Sequence, residues 1–488
     1  MTGTAPLRIL FELRPALEGH AGIPLETRLL FRALRGLDAV QVDGLIQSSS
    51  QLLPAGLPPA AVSGAGHPDH DEATARLCRV ILALDRSRGW RGDLSAALQT
   101  LRMAIAANLG RAEPLTRFEP AEFRDYLWQR LFAKSLSGTD FGLVTGGGFR
   151  IARIPWAALQ ICGRFTGRFG PPIYPRLDTA DFDVMIAETP YPARVTPDTR
   201  LVVRYHDAIP LLMPHTISDS EYHHATHYLA LRQNVRSGAW FACVSAATRQ
   251  DLVRMFPAAE PRSLTIHNMV SPEYFAENSP PGRVARIIAA TACATGPALP
   301  APDGESGFLL MVSSIEPRKN HLALLAAWEE LRERRFPALQ LLIVGGAGWQ
   351  NEPILRRFKP WMERGELQVL RNVTAADLRC LYRHARATVC PSLGEGFDYS
   401  GVEAMRSGGA VVASDIPVHR EVFMDAAEYF NPYVGADLVR ALCAVIDPGA
   451  PGRRGELVAR GDAVSQGYLP ERILPRWADF LRQLREPS

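Results

Sequence analysis

The sequence predicts an α/β protein of two doubly wound domains facing across a cleft. Three observations carry that expectation. A strand–helix–strand unit opens the chain. A stretch rich in Pro, Gly, Ala and Ser, residues 278–307, divides it. A second strand–helix series begins directly afterwards. Apolar runs alternating with helices favour parallel sheets. Ligands of such sheets sit beyond the carboxyl ends of the strands, so a cleft between two sheets is the expected site.

The elements follow in order. LRILFEL (7–13) reads as the first strand, and a Gly-bearing loop (18–24) comes next. In LETRLLFRALRGL, residues Leu29, Leu30, Ala33, Leu34 and Leu37 recur at helical spacing. VQVDGLI closes the unit. Residues 67–175 read as mostly helical, an elaboration of the first domain in which Trp128, Phe132, Phe165 and Phe169 pack rather than bind. Strands resume at FDVMIAE, LVVRYHD, AWFACVS and RSLTIHN. The dividing stretch reads as a linker with a short helix. The second series runs GFLLMVS, a helix from His321, LQLLIVGG, a helix near 353–363, LQVLRNV, a helix at 375–384, ATVCPS, a helix from Ser400, and GAVVAS. ILPRWADFLRQL is an amphipathic helix suited to packing across the cleft. The expected domains are therefore 1–277, a linker 278–307, 308–470, and a C-terminal helix at 471–488 packing back toward the first domain.

Composition narrows the function. A chain of 488 residues suits two or three domains, and 47% hydrophobic content supplies a core. A net charge of +3 does not argue for nucleic acid. The seven cysteines are scattered and form no C-x-x-C pair, so neither a disulfide framework nor a zinc site is expected. The opening residues lack a signal-peptide pattern. No apolar run approaches the roughly 18–20 residues that span a bilayer. A cytoplasmic protein is expected, with any membrane contact peripheral. Arg76, Arg79, Arg86, Arg88 and Arg91 would suit the anionic surface of an inner membrane, although a solvated face accounts for them more simply.

The most informative stretch is PSLGEGFDYSGVEAMRSGGAVVASD, residues 391–415. It sets Glu395 on a loop and Glu403 in the first turn of a helix. A helix start attracts phosphate and a carboxylate holds a sugar hydroxyl, so the stretch would grip a nucleotide sugar. Ser400-x-x-Glu403 is also the pattern of a capping box, with Glu403 folding back on its own helix. Arg318 and Lys319 stand between a strand and a helix, where cations and N–H donors converge on a diphosphate. His206 and Asp207 end an apolar strand. Adjacent side chains there point to opposite faces, so one is expected to face the cleft and the other to hold the loop. Gly22 either permits a turn or lets backbone approach a phosphate. Gly346, in a glycine-rich strand end, either leaves room for a base or ribose or serves a tight turn. The chain has neither a G-x-G-x-x-G fingerprint nor a G-x-x-x-x-G-K-[ST] loop. His215, His223, His224 and His227 lack the H-E-x-x-H pattern, and a structural role is expected for them.

Together these blocks resemble glycosyltransferase family 4, retaining nucleotide-sugar transferases of the GT-B fold. PSLGEGFDYSGVEAMRSGG is similar to that family's PS-x-x-EGFGLP-x-x-EAM-x-x-G block. IEPRKN, YHDAIP, CVSAATRQDL and IHNMVSPEYF match further blocks in the same order. The resemblance implies that Glu395 contacts the donor sugar, Glu403 the ribose, and Arg318 and Lys319 the diphosphate. It also implies that His206 touches the sugar and that Gly22 lies near the phosphates. Backbone from Gly396, Phe397, Asp398, Tyr399, Ser400 and Gly401 to Val402 would complete the cradle. The chain departs from the pattern at Asp398-Tyr399-Ser400, which stands for Gly-Leu-Pro, and at Ser313-Ser314, which stands for Gly-Arg. Asp398 is therefore expected to face a sugar hydroxyl or cap the helix, and Ser400 to reach a phosphate oxygen.

The implied reaction moves a hexose, with a lean to mannose, from a nucleoside diphosphate to a hydroxyl of a glycan or lipid-linked acceptor, as in bacterial surface-polysaccharide assembly. GDP-mannose is the favoured donor, and a UDP-sugar is the alternative. No metal or other cofactor is expected, because the two cations take the role a bound metal would have. A nucleotide-sugar epimerase and a non-catalytic sugar-nucleotide-binding protein are the competing readings.

Overall fold

The computed structural model describes residues 5–19, 22–58, 70–85, 112–168, 170–292, 307–449 and 451–486. Two sheets dominate. The first has eight strands in the order β10-β9-β8-β7-β1-β2-β5-β4. Its members are β1 (Leu7–Glu12), β2 (Val40–Ile46), β4 (Thr116–Phe118), β5 (Phe149–Ile151), β7 (Val184–Ala187), β8 (Arg200–Tyr205), β9 (Trp240–Cys243) and β10 (Ser263–Thr265). Two short strands, β3 (Ala112–Glu113) and β6 (Arg176–Leu177), pair beside it. Every pairing in the main sheet is parallel except β4 with β5.

The second sheet is wholly parallel, in the order β13-β12-β11-β14-β15-β16. It contains β11 (Phe308–Val312), β12 (Gln340–Val344), β13 (Leu367–Leu370), β14 (Ala387–Cys390), β15 (Val411–Ser414) and β16 (Ala427–Phe430). Helices cover both faces, so its strands read as unbroken apolar runs such as VVAS, with all four residues buried. In each sheet the strand order reverses beside one strand, β1 in the first and β11 in the second. Such a reversal opens a crevice at the carboxyl ends of the strands.

Most of the described residues between 70 and 175 are helical, as expected. A helix occupies His70–Asp85, but β4 and β5 extend the main sheet beyond β2. Strands of three residues are too short to show an alternation, and pairing with a neighbour defines them instead. Phe132 is buried as expected, whereas Phe165 is 61% exposed. Phe169 lies outside the described residues. So do Arg86, Arg88 and Arg91. Arg76 pairs with Glu72 at 2.6 Å along its own helix.

The short helix expected in the dividing stretch is present. The helix Gly282–Thr291 lies on the second domain, where Arg283 bonds Asp377 at 2.9 Å. Ala292 bridges to Leu370 beyond it. Residues 293–306 lie outside the described residues. The final helix, Pro470–Gln483, packs on the first domain, with Phe480 against Trp240 and Arg476 donating to the Thr265 carbonyl at 2.8 Å. Among the described residues no helix is long and apolar enough to cross a membrane.

Candidate active site

The two domains meet where the strand ends face each other. Arg318 and Lys319 follow β11 in one short turn, Pro317–Lys319. Glu395 follows β14. One Glu395 oxygen lies 2.8 Å from Arg318 Nη1, and the other pairs with Lys319 Nζ. Arg318 also donates to Glu316 at 2.7 Å and to the Gly394 carbonyl at 2.6 Å. Burial would raise the Glu395 carboxyl, but Arg318 and Lys319 hold it below its ordinary range. Burial would likewise lower the Arg318 guanidinium, yet Glu395, Glu316 and Asp207 raise it. The basic pair and the loop glutamate therefore form one charged constellation, although 76 positions separate Lys319 from Glu395.

Asp398 caps the next helix, Tyr399–Arg406, from a left-handed backbone with φ of 65°. Its Oδ1 accepts from the Ser400 N–H at 3.1 Å and from the Ser400 hydroxyl at 2.6 Å. Its Oδ2 lies 3.0 Å from His419 Nε2. Burial acts to raise this carboxyl, but His419, Lys319 and Ser400 together outweigh it and lower it. The capping box does not form. Ser400 donates to the cap rather than acting as one, and the Glu403 carboxyl does not turn back to the helix start. Instead Glu403 Oε2 accepts from the Tyr382 hydroxyl at 3.1 Å, and Tyr274 also bonds this carboxyl. Burial pushes Glu403 up to about 8. At this helix start the Ser400 amide has a carboxylate partner.

The residues between the two glutamates pack closely. A Cβ at Gly396 would overlap the His206 carbonyl oxygen, and one at Gly401 would overlap the Phe423 ring. Phe397 is 3% exposed and edges against Tyr399 and Tyr468, while Val402 is fully buried. Tyr399 reaches across the cleft, its hydroxyl donating to Glu26 Oε2 at 2.7 Å. Gly346 has open space where a Cβ would stand. Its neighbour Gly345 carries the steric demand, since a Cβ there would overlap the Ser313 carbonyl.

From the first domain, Gly22 takes a φ of 68° just before the helix Ile23–Arg35, with nothing near its absent Cβ. It thus permits the turn and leaves open space in front of it. His20 and Ala21 lie outside the described residues. Asp207 holds its loop by accepting from the Ile209 N–H at 2.9 Å. His206 Nε2 lies 3.4 Å from Glu188 Oε2, and burial pushes the imidazole down to about 4. Of the histidine cluster, His223 rests against Trp349 of the other domain and His227 against Tyr205. Among the described residues, no group of three or more His, Cys, Asp or Glu side chains is placed to hold a metal.

Four functional neighbours escaped the sequence reading. Glu188 ends the apolar run FDVMIAE, which was a usable signal. Glu26 lies one helical turn beyond Gly22. Tyr274 stands in the SPEYF block. Glu421 accepts from the Ala246 and Ala247 N–H groups of the first domain at 2.6 and 2.9 Å and contacts His267 at 2.8 Å. Nothing local distinguishes Glu421 from a surface carboxylate.

Two facing Rossmann-like domains define the GT-B fold, and solved structures agree. Sucrose-phosphate synthase from Thermosynechococcus elongatus superposes with a TM-score of 0.59 over 98% of this chain and 99% of that one, at 14% identity. Anabaena HepE in complex with UDP and glucose gives 0.55 over 98% and 100%, at 15% identity. Residues 299–446 match the family described as Glycosyl transferases group 1. Escherichia coli serotype-specific mannosyltransferase WbdA is 35% identical over 135 residues, 27% of this chain and 16% of that protein. The O-antigen chain mannosyltransferase B of the same species is 27% identical over 237 residues, 48% of this chain and 58% of that protein. The chain therefore resembles GT-B glycosyltransferases, O-antigen mannosyltransferases among them. It covers less than two thirds of the length of these curated relatives.

Proposed function

We propose that this protein is a retaining hexosyltransferase. In this reading it moves mannose from GDP-mannose to a hydroxyl of a glycan or lipid-linked acceptor, with a UDP-sugar as the alternative donor. The observation that carries the reading is the Arg318–Lys319–Glu395 constellation at the strand ends of the second domain, facing His206 of the first. Two cations and one carboxylate suit a ligand that is anionic at one end and hydroxylated at the other. Likeness to mannosyltransferases supports the sugar.

In the proposed reaction the bond between the anomeric carbon and the diphosphate breaks, and negative charge grows on the departing phosphate. Arg318 and Lys319 stabilise that charge where it develops, with no metal required. Glu395 exchanges its cation partners for sugar hydroxyls, and Glu403 takes the ribose. Asp398 and Ser400 hold the helix start for each other, so they shape the sugar pocket rather than bind phosphate. The acceptor oxygen attacks from the face the diphosphate leaves, and its proton passes to the leaving phosphate. Closure around Tyr399 and Glu26 excludes water.

The test is product analysis after incubation with a panel of nucleotide sugars and a lipid-extract acceptor, alongside calorimetry with GDP, UDP and ADP. The expected result is transfer of one hexose and a preference for GDP. Binding of none of the three nucleotides overturns the reading. Donor conversion without acceptor would mark an epimerase instead.

A further inference from the structure

Beneath the first-domain side of the cleft, three carboxyl groups crowd into a small buried volume. Glu12 ends β1, Glu188 follows β7, and Glu26 lies on the first helix; all three are fully buried. Two of them have a cation. Glu12 Oε1 lies 2.9 Å from Arg14, and its other oxygen accepts from the Glu188 N–H at 2.8 Å. Glu26 Oε1 lies 2.9 Å from Arg204, and its other oxygen accepts from Tyr399. Among the described residues Glu188 has no Arg or Lys paired with it and its Oε1 has no hydrogen-bond partner, while the other oxygen faces His206 Nε2 at 3.4 Å. The Thr27 hydroxyl is nearby but donates to the Ile23 carbonyl at 2.8 Å.

We propose that Glu188 is a positioning residue for His206: its carboxyl carries a proton, donates it to Nε2, and so holds the imidazole neutral and in one orientation at the sugar-binding face. The proposal rests on the transferase reading above. Its physical basis is charge balance. A buried carboxylate without a cation is costly, and such a group takes up a proton. The alternative is an ion pair with a protonated His206. Arg204, two positions before His206, opposes a second cation there, whereas Glu26 and Asp207 favour one. Burial outweighs all of them for both partners: it raises Glu188 well above the usual carboxylate range and lowers His206. The neighbouring Glu26 and Glu12 push Glu188 further up, while Arg204 pulls it down. The main chain of Glu188 also hydrogen-bonds the ring, so a single residue holds the imidazole twice.

Neutrality has a chemical purpose. A hexose losing its diphosphate develops positive charge near the anomeric carbon. An imidazolium beside it would oppose that charge in a site closed to water. A neutral, fixed imidazole does not.

The test compares Glu188→Gln with Glu188→Leu in the full chain. Gln still donates to Nε2 through its amide, and Leu does not. The expected result is near-normal turnover for Gln and a loss of kcat on the order of tenfold to a hundredfold for Leu, with unchanged nucleotide affinity. Equal impairment of both variants, or normal turnover in the Leu variant, overturns the proposal. A second measurement stands apart from activity. Nitrogen-15 spectra of the labelled histidines, with His206→Asn to assign the signal, are expected to show a neutral ring bearing its proton on Nδ1 at pH 7. An imidazolium signal overturns the proposal even if transfer is confirmed. A neutral ring sustains it even if the donor reading fails.

Discussion

Glu395 and Glu188 stand at the strand ends of opposite domains, and both are nearly closed off from water, with side chains 8% and 0% exposed. Glu395 has a guanidinium and an ammonium against it and stays ionised. Glu188 has neither and is pushed toward its protonated form. Burial acts in the same direction on both. The cations in contact decide the outcome: Arg318 and Lys319 together outweigh the desolvation of Glu395, whereas the single Arg14 leaves Glu12 raised. Glu395 is thus held in its charged form, and Glu188 is driven away from it.

The comparison can be broken from the charged side. In the proposed reaction Arg318→Ala or Lys319→Ala would remove a stabiliser of the leaving diphosphate, and each is expected to cost about 100- to 1000-fold in kcat. Each also strips Glu395 of a cation, which moves its carboxyl upward, toward the behaviour of Glu188. Steady-state kinetics of both variants check this, and full activity in both would remove the diphosphate assignment.

A smaller and split effect is expected from Glu395→Gln. Transfer falls by about 100-fold as a sugar contact is lost. Binding of the free nucleoside diphosphate holds or tightens, because two cations lose their internal carboxylate. Calorimetry separates the two effects; a parallel loss of binding would place Glu395 on the nucleotide rather than on the sugar.

The smallest effect concerns Glu403, a third buried carboxyl whose partners are tyrosines instead of ions. Its folded pKa of about 8 lies above the ordinary 4.5, so between those values the folded protein holds an extra proton. Stability from this group is full below about pH 4.5 and is lost as pH rises through 8. Glu403→Gln cannot ionise, so thermal melts at pH 6 and pH 9 are expected to differ less than in the parent protein. Glu403→Ala is expected to weaken nucleotide binding several-fold at pH 7. Melts that change equally with pH in parent and Gln variant would show that Glu403 is ionised throughout.

Much of this arrangement was legible along the chain. Parallel-strand runs such as LLIV and VVAS are buried on both faces, so each announces itself without knowledge of its neighbours. Strand ends carry the site, which is why Arg318, Lys319 and His206 stood out. The three-residue strands β4 and β5 were not legible, because only pairing makes them strands. Capping by Asp398 was one of its two expected roles and is what the structure shows, whereas its contact with His419 was not legible. The S-x-x-E spacing suggested a capping box, but a left-handed Asp398 and a buried His419, 21 positions away, claimed the helix start instead.

By itself the sequence determined two wound domains, their order, a basic pair and Glu395 at strand ends, and Glu403 on the helix that follows. Local periodicity and backbone chemistry suffice for those. Only the tertiary structure decided which carboxyl meets which partner. Tyr399 finds Glu26 across 373 positions, and the Glu188 amide finds Glu12 across 176. Ionisation depends on distance and burial in space, and no spacing along a chain encodes either one.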